Sequence, residues 1–307
     1  MHKTVLSTVD VARLFNVTET TVKRWADEGM LKCQKTPGGH RKFPVRNVID
    51  FAEKNNFEPT GSLTMPDHDG LGSTIQVAIL RRDFPSLVRA FVEKALSPDR
   101  SDLHTFFSFL YEHRIQLWEI YDLVLRPGMV EIGERWVRGE IGIGQEHRAS
   151  YETLDALARL QSEILIKPQT QESVLFACLG DELHEIGLRC ASYLFEAEGW
   201  TTHYLGARTP SPDVIAALAE LKPSVVALSI TQAADLKQLR QDVSEITDAV
   251  RSRSMQLILG GAGVPAEVID SIQYDGLLQS TRAIHSYVDR FMQERRRKGG
   301  AHECPGN

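Results

Sequence analysis

The stretch ESVLFACLGDELHEIGLRC, residues 172–190, decides the fold of the second half of this chain. Its apolar residues run without a break from Val174 to Cys178, and a polar loop from Gly180 to Glu185 follows. A short continuous apolar run bounded by a turn is typical of a strand that is buried on both faces. The apolar spacing then becomes helical. The stretch therefore predicts a strand, a loop and a helix, the first unit of an α/β domain.

Four more β-rich runs follow at intervals that leave room for a helix between them. They are Thr202–Leu205, Val225–Ile230, Gln256–Leu259 and Gly276–Leu278. Strands that alternate with helical stretches form a parallel, doubly wound sheet. Residues 169–293 are therefore predicted to be a flavodoxin-like (Rossmann-type) α/β domain. Ligands of such domains bind at the carboxyl ends of the strands.

Helical apolar spacing dominates the middle of the chain, residues 75–168. The spaced apolar residues are Leu87, Phe91, Ala95, Leu103, Phe106, Phe107, Leu110, Leu154, Leu157, Leu160 and Ile164. This pattern predicts a four-helix bundle. Residues 58–74, rich in Gly, Pro and Asp, are predicted to be a linker. The charged tail 294–307 is predicted to be disordered.

Composition excludes several classes of protein. The 307 residues contain no apolar run of the roughly 18 residues that a membrane helix needs, and no secretory signal pattern, so we expect a cytoplasmic protein without membrane contact. The four cysteines form no CxxC pair, which argues against a zinc site or a disulfide framework. No catalytic triad, P-loop or paired-carboxylate site stands out, so we do not expect an enzyme.

Charge is unevenly distributed along the chain. The net charge is −6, yet residues 1–57 contain ten Lys/Arg against six Asp/Glu. A basic N-terminal segment on an acidic body suits a polyanion-binding domain.

Residues 1–57 also show the pattern of two capped helices. Ser7-x-x-Asp10 predicts a capping box for the first helix, and Thr18 can cap a second helix that ends at Gly29. Two short helices joined by a tight turn form a helix-turn-helix, whose second helix can enter the major groove of DNA. The residues predicted to contact bases and phosphates are Thr20, Thr21, Lys23 and Arg24.

A cationic hairpin follows in the run TPGGHRKF, residues 36–43. Its two glycines permit a tight turn, and its cations lie where a wing would touch the DNA backbone. The predicted wing contacts are Gly39, His40, Arg41 and Lys42.

The run TVKRWADEGMLKCQKTPGGHRKF, residues 21–43, resembles the winged helix-turn-helix of MerR-type transcriptional regulators. The resemblance covers about residues 4–54 and implies binding to a double-stranded DNA operator. A helix-turn-helix that serves only as a protein contact is the alternative interpretation. Common MerR-type dimers continue into a long coiled-coil helix, but no sustained heptad follows here, so self-association must come from the C-terminal part.

A possible cofactor loop follows the first predicted strand. His184 offers an imidazole, Glu182 a carboxylate that could orient the ring, and Gly187 lets a bulky group approach the backbone. On its own, a histidine beside glutamates is more often a solvated surface residue. Small residues at two later strand ends, Ser229-Ile230-Thr231 and Gly260-Gly261, strengthen the functional interpretation.

Together these residues resemble the cobalamin-binding signature Asp-x-His-x-x-Gly…Ser-x-Leu…Gly-Gly over about residues 172–292. The resemblance implies that His184 ligates cobalt from the lower face of the cofactor. It also implies that the nucleotide tail lies between Ser229 and Gly260-Gly261. Glu182 replaces the aspartate of the signature, and Thr231 replaces its leucine.

In the predicted bundle, Trp136 is followed ten residues later by Glu146-His147. A core tryptophan and a polar helix start would explain these residues without any ligand. The spacing, however, resembles the bundle of CarH/LitR-type light-responsive regulators, in which these side chains cover the adenosyl group of adenosylcobalamin. In the best-known members a histidine follows the tryptophan and can ligate cobalt after photolysis. Here Val137 stands there, with His113 and His147 as other candidate ligands.

The order of MerR-type head, bundle and cobalamin domain implies a light-responsive repressor that binds DNA as an adenosylcobalamin-bound homo-oligomer, by resemblance a tetramer. Three alternatives stay open from the sequence. The first is a cobalamin-level sensor without a light step, which Val137 favours. The second is a corrinoid carrier for methyl transfer, and the third is a repressor that has lost its cofactor.

Overall fold

The computed structural model describes residues 5–36, 38–55, 57, 72–98, 103–179, 183–230, 235–261, 264–270 and 272–300. Clustering of the chain gives two compact units, Met1–Leu160 and Gln161–Asn307. The N-terminal domain and the helical region belong to the first unit, and the α/β domain forms the second.

The N-terminal domain is a small winged helix-turn-helix. Its elements are β1 (Val5–Ser7), α1 (Thr8–Leu14), α2 (Glu19–Asp27), β2 (Gln34–Lys35), β3 (Arg41–Pro44) and α3 (Val45–Asn55). The strands pair antiparallel in the order β1-β3-β2. The predicted capping box is present, because the Ser7 N–H donates to Asp10 Oδ2 at 2.8 Å and the Asp10 N–H donates to Ser7 Oγ at 3.2 Å. The second helix ends at Asp27, two residues before Gly29, which has a φ of +74°.

Four aromatic rings hold this domain together. Phe15, Trp25, Phe51 and Phe57 pack with ring centroids 4.7–6.0 Å apart. The cluster joins the turn of the helix-turn-helix to α2 and α3, so it fixes the angle between the helices. Such pairs contribute about 0.5–1.5 kcal/mol each beyond the burial of their surface.

The helical region follows the winged helix-turn-helix in the first unit. Its elements are α4 (Gly72–Arg81), α5 (Phe84–Leu96), α6 (Leu103–Glu112), α7 (Leu117–Glu119), a π-helical segment (Ile120–Leu125), α8 (Arg126–Val137) and α9 (Ile143–Gln161). The α7, π-helical and α8 segments are continuous and count as one helix of the predicted bundle. The other three helices of the bundle are α5, α6 and α9, and α4 is an additional helix. The predicted linker was drawn too long, because α4 already includes Gly72 to Thr74.

Close packing in the bundle depends on one glycine. Gly128 lies on α8 against the ring of Phe91, and a Cβ at Gly128 would come within 2.3 Å of Phe91 Cδ1. Phe91 is fully buried on α5. The absence of a side chain at Gly128 therefore sets how closely α5 and α8 approach.

The second unit is the predicted α/β domain. Its elements are β4 (Ser173–Leu179), α10 (Ile186–Ala197), β5 (Thr201–Thr209), α11 (Ser211–Leu221), β6 (Val225–Ser229), α12 (Leu236–Arg251), β7 (Gln256–Gly260), α13 (Ala266–Ile269), β8 (Gly276–Leu278) and α14 (Arg282–Gly300). All pairings are parallel, and the strand order is β5-β4-β6-β7-β8. This is the flavodoxin-like order, so the predicted fold is confirmed.

Both faces of the sheet are covered. On one face Leu175, Val226 and Leu257 pack with α11 and α12, and on the other Phe176 and Ile258 pack with α10 and α14. Burial on both faces explains why the strands read as continuous apolar runs rather than alternating ones.

One predicted boundary of this domain is wrong. Helix α14 continues to Gly300, so disorder does not begin at residue 294; the apolar side chains of its first turns pack on the sheet and the helix continues through the charged run. At the other end the second compact unit begins at Gln161. The Lys167 and Thr170 N–H groups donate to the Ala197 and Gly199 carbonyls at 2.9 and 2.8 Å.

Among the helices in the described part of the chain, none has the length and apolar character needed to cross a membrane.

Replacing Gly128 with alanine should destabilise the first unit by about 1–3 kcal/mol, because the new methyl group overlaps the Phe91 ring. Gly133 is a matched control on the same helix, since a Cβ there meets nothing within 4 Å. Gly133→Ala should be neutral or stabilising by about 0.5–1 kcal/mol. Urea unfolding of both variants measures this difference, and equal effects would contradict the packing argument.

Candidate functional site

The carboxyl edge of the sheet brings the predicted cofactor residues together. Cys178, Ser229 and Gly260 are register partners across β4, β6 and β7. Ser229 is only 5% exposed, and Gly260 lies beside it on β7. The loop that carries His184 leaves the same edge, because it follows the end of β4. The site thus lies where the strand order reverses, the usual ligand position in this fold.

Gly261 is a position that only glycine fits. Its φ is +104°, and a Cβ there would lie 2.2 Å from the Ile230 carbonyl oxygen. The Ile230 N–H also donates to the Gly260 carbonyl at 2.9 Å, so the ends of β6 and β7 remain joined beyond the sheet. The backbones of β6 and β7 therefore approach closely at Gly260-Gly261, next to Ser229.

His184 is exposed and lies two residues before α10. Gly187, in the first turn of that helix, is also exposed, and a Cβ there would meet no atom within 4 Å. Space is therefore open around Gly187. Glu182 and Thr231, the other two predicted cofactor residues, lie outside the described residues.

A group that the sequence analysis missed lies beside His184. The Tyr204 hydroxyl, on β5, donates to Glu185 Oε2 at 3.0 Å, and the Arg189 guanidinium lies 3.4 Å from the centre of the Tyr204 ring. Burial, and then the Glu185 carboxylate, raise the pKa of Tyr204, so the hydroxyl stays protonated and remains a donor. Glu185 and Arg189 share the first turn of α10, but Tyr204 lies on β5, and no periodic sequence signal links it to them.

The residues around His184 suit a metal that is already held by a macrocycle. Within the described part of the chain, no group of three or more His, Cys, Asp or Glu side chains could hold a bare metal ion. A corrin ring supplies the equatorial ligands of cobalt itself and needs only an axial donor from the protein, which a single exposed imidazole can provide. Gly260 and Gly261 add no side chain to the carboxyl edge of the sheet, and the Leu278 and Ile230 carbonyl oxygens occupy the space that their Cβ atoms would take.

Trp136 is not a core tryptophan. It is 46% exposed near the end of α8, whereas Trp25 and Trp200 are 6% and 3% exposed. Val137, beside it, is 77% exposed. The Trp136 indole is therefore accessible to a ligand.

Glu146 and His147 lie together in the first turn of α9. Their side chains approach at 3.8 Å, between His147 Nε2 and Glu146 Oε2, and Glu146 Oε1 accepts from the Ser150 hydroxyl at 2.9 Å. No hydrogen bond or ring contact joins Trp136 to either residue in the described structure. Both remain able to hydrogen-bond a ligand.

The predicted recognition helix presents most of its polar residues to solvent. Thr20, Lys23 and Arg24 are exposed, and Lys23 pairs with Glu19 at 3.4 Å. Thr21 is placed differently. Its hydroxyl lies 3.0 Å from that of Thr18, and its N–H donates to the same oxygen, so Thr21 belongs to the cap of the helix.

The predicted wing is a tight hairpin. The Gly39 N–H donates to the Thr36 carbonyl at 2.8 Å, and the Gly39 φ of +78° closes the turn. His40 at the tip is exposed, and Lys42 is half-buried on β3. The Arg41 guanidinium pairs with Asp27 at the end of α2, so it ties the wing to the recognition helix.

Comparison with protein families matches three segments of the chain. Residues 5–56 match a helix-turn-helix domain, residues 85–161 match one B12 binding domain, and residues 172–277 match a second B12 binding domain. The chain therefore combines an N-terminal helix-turn-helix domain with two segments that match B12 binding domains.

Two repressors of Myxococcus xanthus are homologues of this chain. The HTH-type transcriptional repressor CarH is 26% identical over 82% of this chain and 87% of its own length, and the repressor CarA is 29% identical over 82% and 85%. Neither is named as an enzyme. Among solved structures, the monomethylamine corrinoid protein of Methanosarcina barkeri is similar in fold, with a TM-score of 0.56 and 16% identity over 66% of this chain and 97% of its own.

Gly261→Ala should destabilise the α/β unit by about 2 kcal/mol or more, because the new Cβ overlaps the Ile230 carbonyl at a backbone angle that alanine disfavours. Gly187→Ala serves as its control and should be neutral or stabilising by about 0.5–1 kcal/mol, since its surroundings on α10 are open. Chemical unfolding without cofactor checks both. Similar stability of the two variants would contradict the close approach of β6 and β7.

Proposed function

We propose that this protein is a light-responsive repressor that binds a double-stranded DNA operator as an adenosylcobalamin-bound oligomer. The resemblance to CarH/LitR-type regulators implies four subunits. The observation that carries the proposal is the position of His184, an exposed imidazole in the loop after β4, at the edge of the parallel sheet where Ser229 and Gly260 also end their strands. The similarity to the repressors CarH and CarA supports the regulatory part.

The residues of the second unit would hold the lower part of the cofactor. His184 would ligate cobalt, with Glu182 orienting its ring and Gly187 leaving space for the corrin. Ser229, Thr231 and Gly260-Gly261 would line the cleft for the nucleotide tail. When bound, adenosylcobalamin supplies a Co–C bond that visible light breaks.

The bundle would cover the upper group. Trp136 would pack its indole on the adenine, while Glu146 and His147 would hydrogen-bond the ribose. Without that group Trp136 loses its packing partner, the bundle shifts, and the subunits separate. Several DNA-binding heads on one oligomer gain affinity through effective concentration, so separation of the subunits releases the operator.

Val137 favours a second candidate, a cobalamin-level sensor without a light step. Its side chain has no donor atom, so it cannot take the upper cobalt position after photolysis. Of the two histidines considered for that position, His113 is half-buried, with Nδ1 2.8 Å from the Phe109 carbonyl and its ring packed on Phe109. His147 is exposed and is the better candidate.

Size-exclusion chromatography with adenosylcobalamin in the dark and after green light tests the light step. We expect a large dark species that dissociates on illumination, because the upper group holds the bundle in place. The same run with hydroxocobalamin, which lacks the adenosyl group, should show the small species in both conditions. A photolysed spectrum with unchanged size would exclude light-driven disassembly and support the level sensor.

DNA binding should depend on the exposed cations of α2. Arg24→Ala should weaken operator binding and reduce the slope of log K against log salt concentration by about 1, the value for one lost phosphate contact. Arg253→Ala, which removes an equal charge from an exposed position of the other unit, should change neither. Equal effects of the two substitutions would mean that net charge, rather than the helix, determines binding.

A further inference from the structure

The loop that carries His184 is attached to the neighbouring strand by a side chain. Tyr204 on β5 donates its hydroxyl hydrogen to Glu185 Oε2 at 3.0 Å, and its oxygen lies 3.4 Å from the Glu185 carbonyl oxygen. Glu185 is directly bonded to His184 in the chain and is the N-cap residue of α10. The contact therefore joins the residue after the imidazole to a rigid strand of the sheet.

Arg189 completes this attachment from the helix side. Its guanidinium lies 3.4 Å from the centre of the Tyr204 ring, and its backbone N–H donates to the Glu185 carbonyl at 2.8 Å as the first-turn bond of α10. The cation thus stacks on the ring whose hydroxyl holds Glu185. Gly206, with a φ of +86°, leaves the space that this arrangement needs, since a Cβ there would lie 3.3 Å from the ring and 3.6 Å from Glu185 Oε2.

We infer that Tyr204 and Arg189 are positioning residues, which hold Glu185 and thereby set the direction from which His184 reaches cobalt. This inference rests on the proposed function, because it requires His184 to be the axial ligand. Tyr204 and Arg189 themselves do not touch the metal. They act on the backbone of the loop.

The physical reason is that ligation requires one direction of the His184 imidazole. Ordering a side chain costs entropy, and that cost is smaller when the neighbouring backbone is already held. Fixing the backbone of the next residue reduces the number of directions in which the imidazole can point. Loss of the Tyr204 hydrogen bond would leave the ligand present but misdirected, which lowers the fraction of cobalt that it coordinates.

The test measures ligation directly, by electron paramagnetic resonance of cob(II)alamin bound to full-length protein labelled with nitrogen-15 histidine. A nitrogen-15 axial ligand splits each cobalt line into a doublet, whereas the unlabelled benzimidazole of the cofactor gives a triplet. A doublet therefore reports coordination by a protein histidine. His184→Ala should abolish it, which identifies the ligand.

Tyr204→Phe removes only the hydroxyl and keeps the ring under Arg189. We expect the ratio of histidine-ligated to histidine-free cofactor to fall about tenfold, the order of one lost hydrogen bond to a charged group. Glu185→Ala should have a similar effect, and Glu185→Gln, which keeps an acceptor oxygen, should retain most of the doublet.

Tyr287→Phe is the matched control. It removes another largely buried tyrosine hydroxyl of the same unit, which donates to Gln256 Oε1 at 2.6 Å at the amino end of β7. Its doublet should match that of the unmodified protein. If Tyr204→Phe keeps a full doublet, or if both tyrosine variants lose it equally, positioning by Tyr204 is wrong while ligation by histidine stands. No doublet in the unmodified protein would instead overturn ligation itself and the inference with it.

Discussion

The parallel pairing of β4, β6 and β7 is the constraint on which the candidate cofactor site depends. Because Cys178, Ser229 and Gly260 are aligned across the three strands, the loops after them all leave the sheet at the same edge. The chain leaves β4 towards β5 on one side, and β6 lies on the other side, so the connections diverge and leave a cleft between them. A register change of one residue would turn Ser229 to the opposite face of the sheet.

The α/β domain could be predicted from the sequence because its physical signals are local. Each buried strand is a short apolar run, and the glycines at 260 and 261 mark the place where two backbones approach. The contact of Tyr204 with Glu185 could not be predicted in this way. It joins residues nineteen positions apart through a hydroxyl and a carboxylate, and neither type of residue carries a periodic signal.

In the bundle, sequence spacing identified the core but not its exceptions. Leu87, Phe91 and Leu110 are buried as their helical spacing predicts. Trp136 is of a residue type that is usually buried, so the sequence allowed a core tryptophan as well as one that covers a ligand. Its exposure in the structure argues against the core position. The π-helical segment from Ile120 to Leu125 likewise has no sequence signature, since it differs from an α-helix by a single hydrogen-bond step.

The pairing of Arg41 with Asp27 has a consequence for the cost of binding DNA. The pair joins β3 to the end of α2, so the wing and the second helix are linked before any DNA is met. Order that the chain acquires on folding does not have to be acquired again on binding, so the pair lowers the entropy cost of binding. Because the Asp27 side chain is largely exposed, the pair contributes about 0–1 kcal/mol to this effect.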